Sequence, residues 1–204
     1  LSEVMELFVQ GNATCRTSIT REHIFVNLVN AKNKSALATK AQLAAAGLYI
    51  YSCNEPAGRA GAAKGHRVKI GGAERAFDRA GNTVATAVEY VKPAVDLVSK
   101  MTGIQKCKVF PAELLEALTM IFKAYPKYLS GKDGADFSCW WLANAQYKTP
   151  KTVATDLKVQ GGNTVNHAAL SIARGIVTEM RKATLFPAKD RITHAGLNRT
   201  SSSK

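Results

Sequence analysis

Four histidines, His23, His66, His167 and His194, are the side chains best suited to acid–base chemistry near neutral pH, and they stand far apart in the chain. None belongs to a nucleophile or metal motif: there is no G-x-S-x-G, no H-E-x-x-H, and no GxGxxG after a strand. His167 falls among alanines on a helical stretch and reads as a packing residue. The carboxylates are few and lie mostly in helix first turns or beside lysines, where they act as capping or solvated charges. Cys15, Cys53, Cys107 and Cys139 form no C-x-x-C pair, so no zinc ligand set exists at workable spacing. They read as reduced core residues of a cytosolic protein. Neither an enzyme, nor a metal site, nor a cofactor is expected.

The chemistry that these residues do support is electrostatic. Lys and Arg number 28 against 15 Asp and Glu, a net charge of +13. That excess suits a polyanion, because cations held near phosphates release condensed counterions. An anionic membrane is the competing partner, but no apolar run approaches the roughly 20 residues of a spanning helix. The cations gather at element ends: Arg59, Lys64 and Arg67; Lys106 and Lys108; Lys148 and Lys151; Arg174, Arg181 and Lys182. Dispersed in this way they can follow a phosphate backbone without reading bases. Of the nearby aromatics Tyr128, Phe137, Trp140 and Tyr147, one or two are expected to stack a base, at about 1–3 kcal/mol each, and the rest to be core.

The elements that must carry these residues are almost all helical. Ser2 opens a short amphipathic helix that Gly11 and Asn12 stop. Thr20 is the expected cap of a helix over Arg21–Ala31, and Ser35 that of a longer one over Ala36–Ser52. Residues 54–72, NEPAGRAGAAKGHRVKIGG, break the pattern with five glycines and interleaved cations. Such a loop lets backbone approach phosphates, although without G-K-[ST] it is no P-loop. Val68–Ile70 is the expected edge strand or hairpin arm. Helices follow over Ala73–Ala80, over Thr83–Tyr90 capped by Asn82, and over Ala94–Met101 with Pro93 at its first turn. Ile104–Phe110 is a further short element. Ala112–Ala124 carries the clearest apolar stripe, with Glu113 and Glu116 in a first turn that suits the macrodipole. Lys151–Val159 and a long helix to Ala183, capped by Asn163 or Thr164, complete the core. A basic tail with Pro187, Lys189, Arg191 and Arg199 ends the chain.

Between those last blocks lies Tyr125–Pro150, YPKYLSGKDGADFSCWWLANAQYKTP, which holds both tryptophans of the chain beside Asp136. It reads as a basic turn, a small-residue loop and a short apolar segment. The indoles are expected to be mostly core, and Asp136 to orient a neighbouring Lys or Arg. The start, LSEVMELFVQ, lacks the charged region of a signal peptide and an initiator Met, as expected of a processed product or a piece of a longer chain.

The order of these blocks resembles a known family. GLYIYSCNEPAG followed by RVKIGG is similar to the segment of potyvirus coat proteins where a helix ends in a turn, a Gly-Thr-Ser loop and a short β-hairpin. EYVKPAVDLVSKMTGIQKCKVF resembles their Lys-Pro-Ile-Val-Glu segment and the helix after it. YPKYLSGKDGADFSCWWLANAQYKTP resembles their Met-Pro-Arg-Tyr-Gly, Ala-Phe-Asp-Phe and Ser-Lys-Thr-Pro blocks, in the same order. The resemblance spans roughly Gly47 to Thr200 and rests on the ordered set. It implies a distant member of the flexible filamentous plant virus coat proteins, the fold of potyviruses, potexviruses and closteroviruses. In that family a Ser, an Arg and an Asp line the RNA groove. Here the Ser-bearing loop is replaced by Asn54-Glu55-Pro56-Ala57-Gly58. The Arg position falls near Ile104, with Lys106 the nearest cation. The Asp position is Asp136 by a local Ala-Asp-Phe match, or Trp141 by counting back from Thr149.

The combined expectation is a mainly α protein: one helical core with a small β-hairpin or glycine-rich loop and extended terminal arms. The core covers residues 1–184, with an N-terminal arm over about 1–20, and residues 185–204 form a basic C-terminal arm. The expected function is helical polymerisation around single-stranded RNA, without sequence specificity, in a virion and in the host cytoplasm. The alternatives are a nucleoprotein of a segmented negative-strand RNA virus and a monomeric cellular RNA-binding protein. The expected RNA-binding residues are Asn54, Arg59, Lys64, Arg67, Gln105, Lys106, Lys108, Asp136, Lys148 and Arg174; the expected partners are single-stranded RNA and further copies of the chain, and no membrane.

Overall fold

The computed structural model describes residues 20–50, 66–101, 109–145, 148, 150–157 and 165–183. They form a mainly helical domain with a two-stranded sheet. The expected N-terminal helix, residues 51–65 of the expected glycine-rich loop, residues 102–108 and the tail lie outside them. Helix α1 (Arg21–Asn30) starts where Thr20 Oγ1 accepts the N–H of His23, the expected cap. Helix α2 (Lys34–Ala45) starts earlier than expected, because Asn33 and not Ser35 supplies the cap, to Ala36 N at 3.1 Å.

The expected continuation of this helix to Ser52 does not form. Gly47, at φ +72°, turns the chain out of the helix. Leu48–Tyr49 then becomes strand β1, paired in parallel with β2 (His66–Arg67). The expected hairpin is thereby corrected. Parallel pairing requires a crossover, and the chain between Tyr49 and His66 is long enough to make one. Ile70, expected in a strand, is instead the first residue of helix α3 (Ile70–Ala80), which Gly81 ends at φ +122°.

Thr83, one residue past the expected cap, opens α4 (Val84–Thr86) through a reciprocal hydrogen-bond box with Thr86. A π-helical turn over Ala87–Val91 leads directly into α5 (Lys92–Ser99), so Pro93 sits inside a continuous helix. A proline ring in a regular helix collides with the carbonyl four residues back, here that of Glu89. The wider π-turn at that point relieves the collision.

Helix α6 (Ala112–Ala124) forms over the expected range, but it is the axis of the core rather than a half-buried stripe. Every residue from Leu114 to Phe122 is buried. It packs most heavily on α3 and on the C-terminal helix. The contact with α3 is close enough that a Cβ on Gly72 would stand 2.2 Å from Ala112 Cβ. Glu116, expected to be a first-turn charge, has no exposed surface and is held by Arg75 Nε at 3.0 Å and Arg79 Nε at 3.1 Å from α3. A buried carboxylate needs such pairing.

After a 3-10 turn (Pro126–Leu129), helix α7 runs from Gly131 to Ala145. The expected small-residue loop is therefore helical. Gly134 serves close approach, since a Cβ there would lie 3.1–3.2 Å from the backbone of Leu129 and Tyr128. Helices α8 (Pro150–Leu157) and α9 (Val165–Lys182) finish the described core. On α9 the expected face, including Ala168, Ala169, Ile172, Ile176, Val177 and Met180, is buried. Where α9 passes α8, a Cβ on Gly175 would stand 1.7 Å from the Leu157 carbonyl oxygen. Trp140 and Trp141 are buried as expected, whereas Cys139, expected in the core, is exposed because it lies on the outer side of α7. Among the described residues no helix is long and apolar enough to cross a membrane.

Candidate nucleic-acid interface

The sequence places two basic segments on either side of α3 to α5, and the fold brings their flanks together. The backbone N–H of Phe110 donates to the carbonyl of Arg67 at 2.6 Å. The rings of Phe110 and His66 meet at 5.1 Å. Arg67 closes the segment that contains Asn54, Arg59 and Lys64; Phe110 follows the one that contains Gln105, Lys106 and Lys108. Those six residues themselves lie outside the described residues.

Beside this junction is a groove of about 370 Å³ lined by Thr20, Glu22, His23, Arg67, Val68, Lys69 and Val109. Arg67 and Lys69 are two positions apart on extended backbone, so both side chains leave the chain on one side. His23 is contributed by the first turn of α1. Among the described residues the one lining carboxylate is Glu22, which accepts the N–H of Ile70 at 3.4 Å and faces the positive end of α3. It is thus occupied by the fold while the basic side chains edge the groove. Lys69, one of the cations interleaved in the glycine-rich segment, and His23 stand outside the expected RNA-binding set. The R-V-K alternation signalled Lys69; nothing local signalled His23, whose place depends on the packing of α1.

The other expected site residues are on separate elements. Asp136 is half-buried on α7, and among the described residues it forms no ion pair, so the expected orienting role is not seen. Lys148 is paired with Asp156 at 2.8 Å, which matches its charge locally. Arg174 is half-buried on α9, a helix that packs chiefly on α6 and α8. The aromatics expected to stack are largely inside: Phe137 is 0% exposed and Tyr128 2%, and Trp140 keeps a strip of 8%. Tyr147 lies outside the described residues. No family model, curated protein or solved structure matches the chain.

Proposed function

We propose that the chain binds single-stranded RNA through its phosphate backbone and polymerises on it as the coat protein of a helical nucleocapsid. The observation that carries the RNA reading is the hydrogen bond from Phe110 N to Arg67 O, which ties the ends of two basic segments to one groove. Lys64 and Lys108 are each two positions from residues at this junction. At the groove itself Arg67 and Lys69 are two basic side chains against one committed carboxylate, Glu22. This is a tract for a phosphate chain.

Polymerisation rests on the resemblance of the ordered sequence blocks to filamentous coat proteins and on the basic terminal tail. The experiment is to mix the purified chain with single-stranded RNA at low salt and image it by negative stain. Filaments support a coat protein. Discrete particles that still bind RNA turn the reading to a monomeric RNA-binding protein. No complex at low salt removes both.

A further inference from the structure

The cavity against the two tryptophans differs in chemistry from the basic groove. It holds about 160 Å³ between α7, α8 and α9. One wall is apolar, made by Trp140, Trp141, Val153 and Leu157; the other is polar, with Asn144, Lys148, Asp156 and Glu179. A volume near 150 Å³ accommodates one six-membered aromatic ring.

The polar wall narrows the guest. Asp156 uses Oδ2 for Lys148 at 2.8 Å, and Glu179 uses Oε1 for Lys182 at 2.7 Å. The second oxygen of each carboxylate accepts no hydrogen bond among the described residues. Asn144 Nδ2 is spent on the Trp140 carbonyl at 2.7 Å, which leaves the amide oxygen as a further acceptor. The indole N–H of Trp141 is buried and finds no acceptor among the described residues. That nitrogen has no accessible surface, so it is not part of the polar wall, and the acceptors of that wall are what favour a hydrogen-bonding guest. Lys148 and Lys182 each match one of the two carboxylates, so the wall has no unbalanced negative charge to favour an organic cation. What remains is a neutral planar ring with donors on one edge and acceptors beside them.

We infer that this cavity is a nucleobase site that takes a single-ring base with an exocyclic amino group, cytosine in preference to uracil. The amino group of cytosine donates to the unused carboxylate oxygens, and carboxylates are known acceptors for that group. The ring carbonyl faces Lys148. Uracil offers a carbonyl where the carboxylates need a donor. The inference rests on the RNA reading for its physiological source of the base, but its chemistry is testable on mononucleotides alone.

The test uses the full chain and its own fluorescence, because both tryptophans of the sequence border the cavity. Cytidine and uridine monophosphates are titrated separately, followed by oligocytidylate and oligouridylate of equal length. The expected result is saturable quenching by the cytidine nucleotide about tenfold tighter than by uridine, the effect of one charge-assisted hydrogen bond. E179Q and D156N, both on partly exposed side chains, should each erase most of that preference without moving the melting temperature appreciably. Equal titrations of the two nucleotides, or no quenching by either, overturn the base site. Tight, salt-sensitive binding of both oligonucleotides with no difference in tryptophan signal overturns the base site and leaves the RNA reading standing. Cytidine-selective quenching with no oligonucleotide affinity supports the site and removes the RNA reading.

Discussion

Arg79, on α3, donates its Nε–H at 3.1 Å to Glu116 of α6, a carboxylate with no exposed surface. Arg75, one turn earlier, donates to the other oxygen at 3.0 Å. The two guanidinium groups are themselves about a quarter exposed, so the charges are shared between core and solvent. Removing a partner from such a pair leaves charge uncompensated. R79A is expected to destabilise the domain by about 2–4 kcal/mol, somewhat less than for a fully buried pair. Replacing all three residues with apolar ones of similar volume should recover much of the loss. Urea denaturation of the single and triple variants checks both.

The glycines of α7 and α9 are expected to respond differently to a methyl group. At Gly175 an added Cβ meets the Leu157 carbonyl oxygen at 1.7 Å, so α8 and α9 must separate. G175A should cost about 2–3 kcal/mol, at the upper end for overpacking. At Gly131 an added Cβ meets nothing within 4 Å, and only its φ of +65° opposes substitution. G131A should cost about 1 kcal/mol. Thermal melts of the two variants should rank in that order.

Tyr90 gives the fold a pH dependence on the alkaline side. Its side-chain hydrogen bond to Glu89, then burial, then the negative charge of Glu89 push the phenol above its ordinary value of 10.0. A phenol with a raised pKa in the folded state favours folding while it is neutral. Its contribution is therefore full below about pH 10 and is lost as pH rises through the folded value. Y90F should show a weaker fall in stability above pH 10 than the parent chain, measured by denaturant titration across pH 8 to 11. Parallel curves for the two proteins would contradict this.

Much of the helical frame was legible because it is written locally. Thr20 before Arg21, Pro111 before a stripe of leucines, and the Ala-Ile-Val face of α9 each carry their own cap or period. The errors came where a distant contact decides. Leu48 and Tyr49 continue an alanine-rich helix by local preference, yet they pair with His66 and Arg67 far along the chain. Gly134 reads as loop material, but it is small so that α7 can lie on the turn before it. Glu116 reads as a solvated first-turn acid, and only the packing of α3 supplies its two arginines. In the site, Arg67 was identifiable from charge and extended spacing, and Lys69 shares that signal. His23 and Glu22 join them only through the fold.

K148A and the double variant R67A with K69A test whether the RNA lies in the groove. Lys148 does not line the groove, so with an oligouridylate, which the cavity beside Lys148 is not expected to favour, K148A should change affinity less than threefold, whereas R67A with K69A should lower it tenfold or more, roughly the effect of two lost phosphate contacts. Equal losses for the two variants would displace the interface from the groove. Fluorescence anisotropy with one labelled oligonucleotide measures both.

The most direct measurement is the affinity of the full chain for single-stranded RNA as a function of salt. For contact with four to six phosphates, log affinity should fall with log salt at a slope of about −3 to −4, and the Arg67 and Lys69 double variant should be shallower by about 1.4. A slope near zero, or one that the double variant leaves unchanged, would contradict binding of the phosphate backbone at this groove.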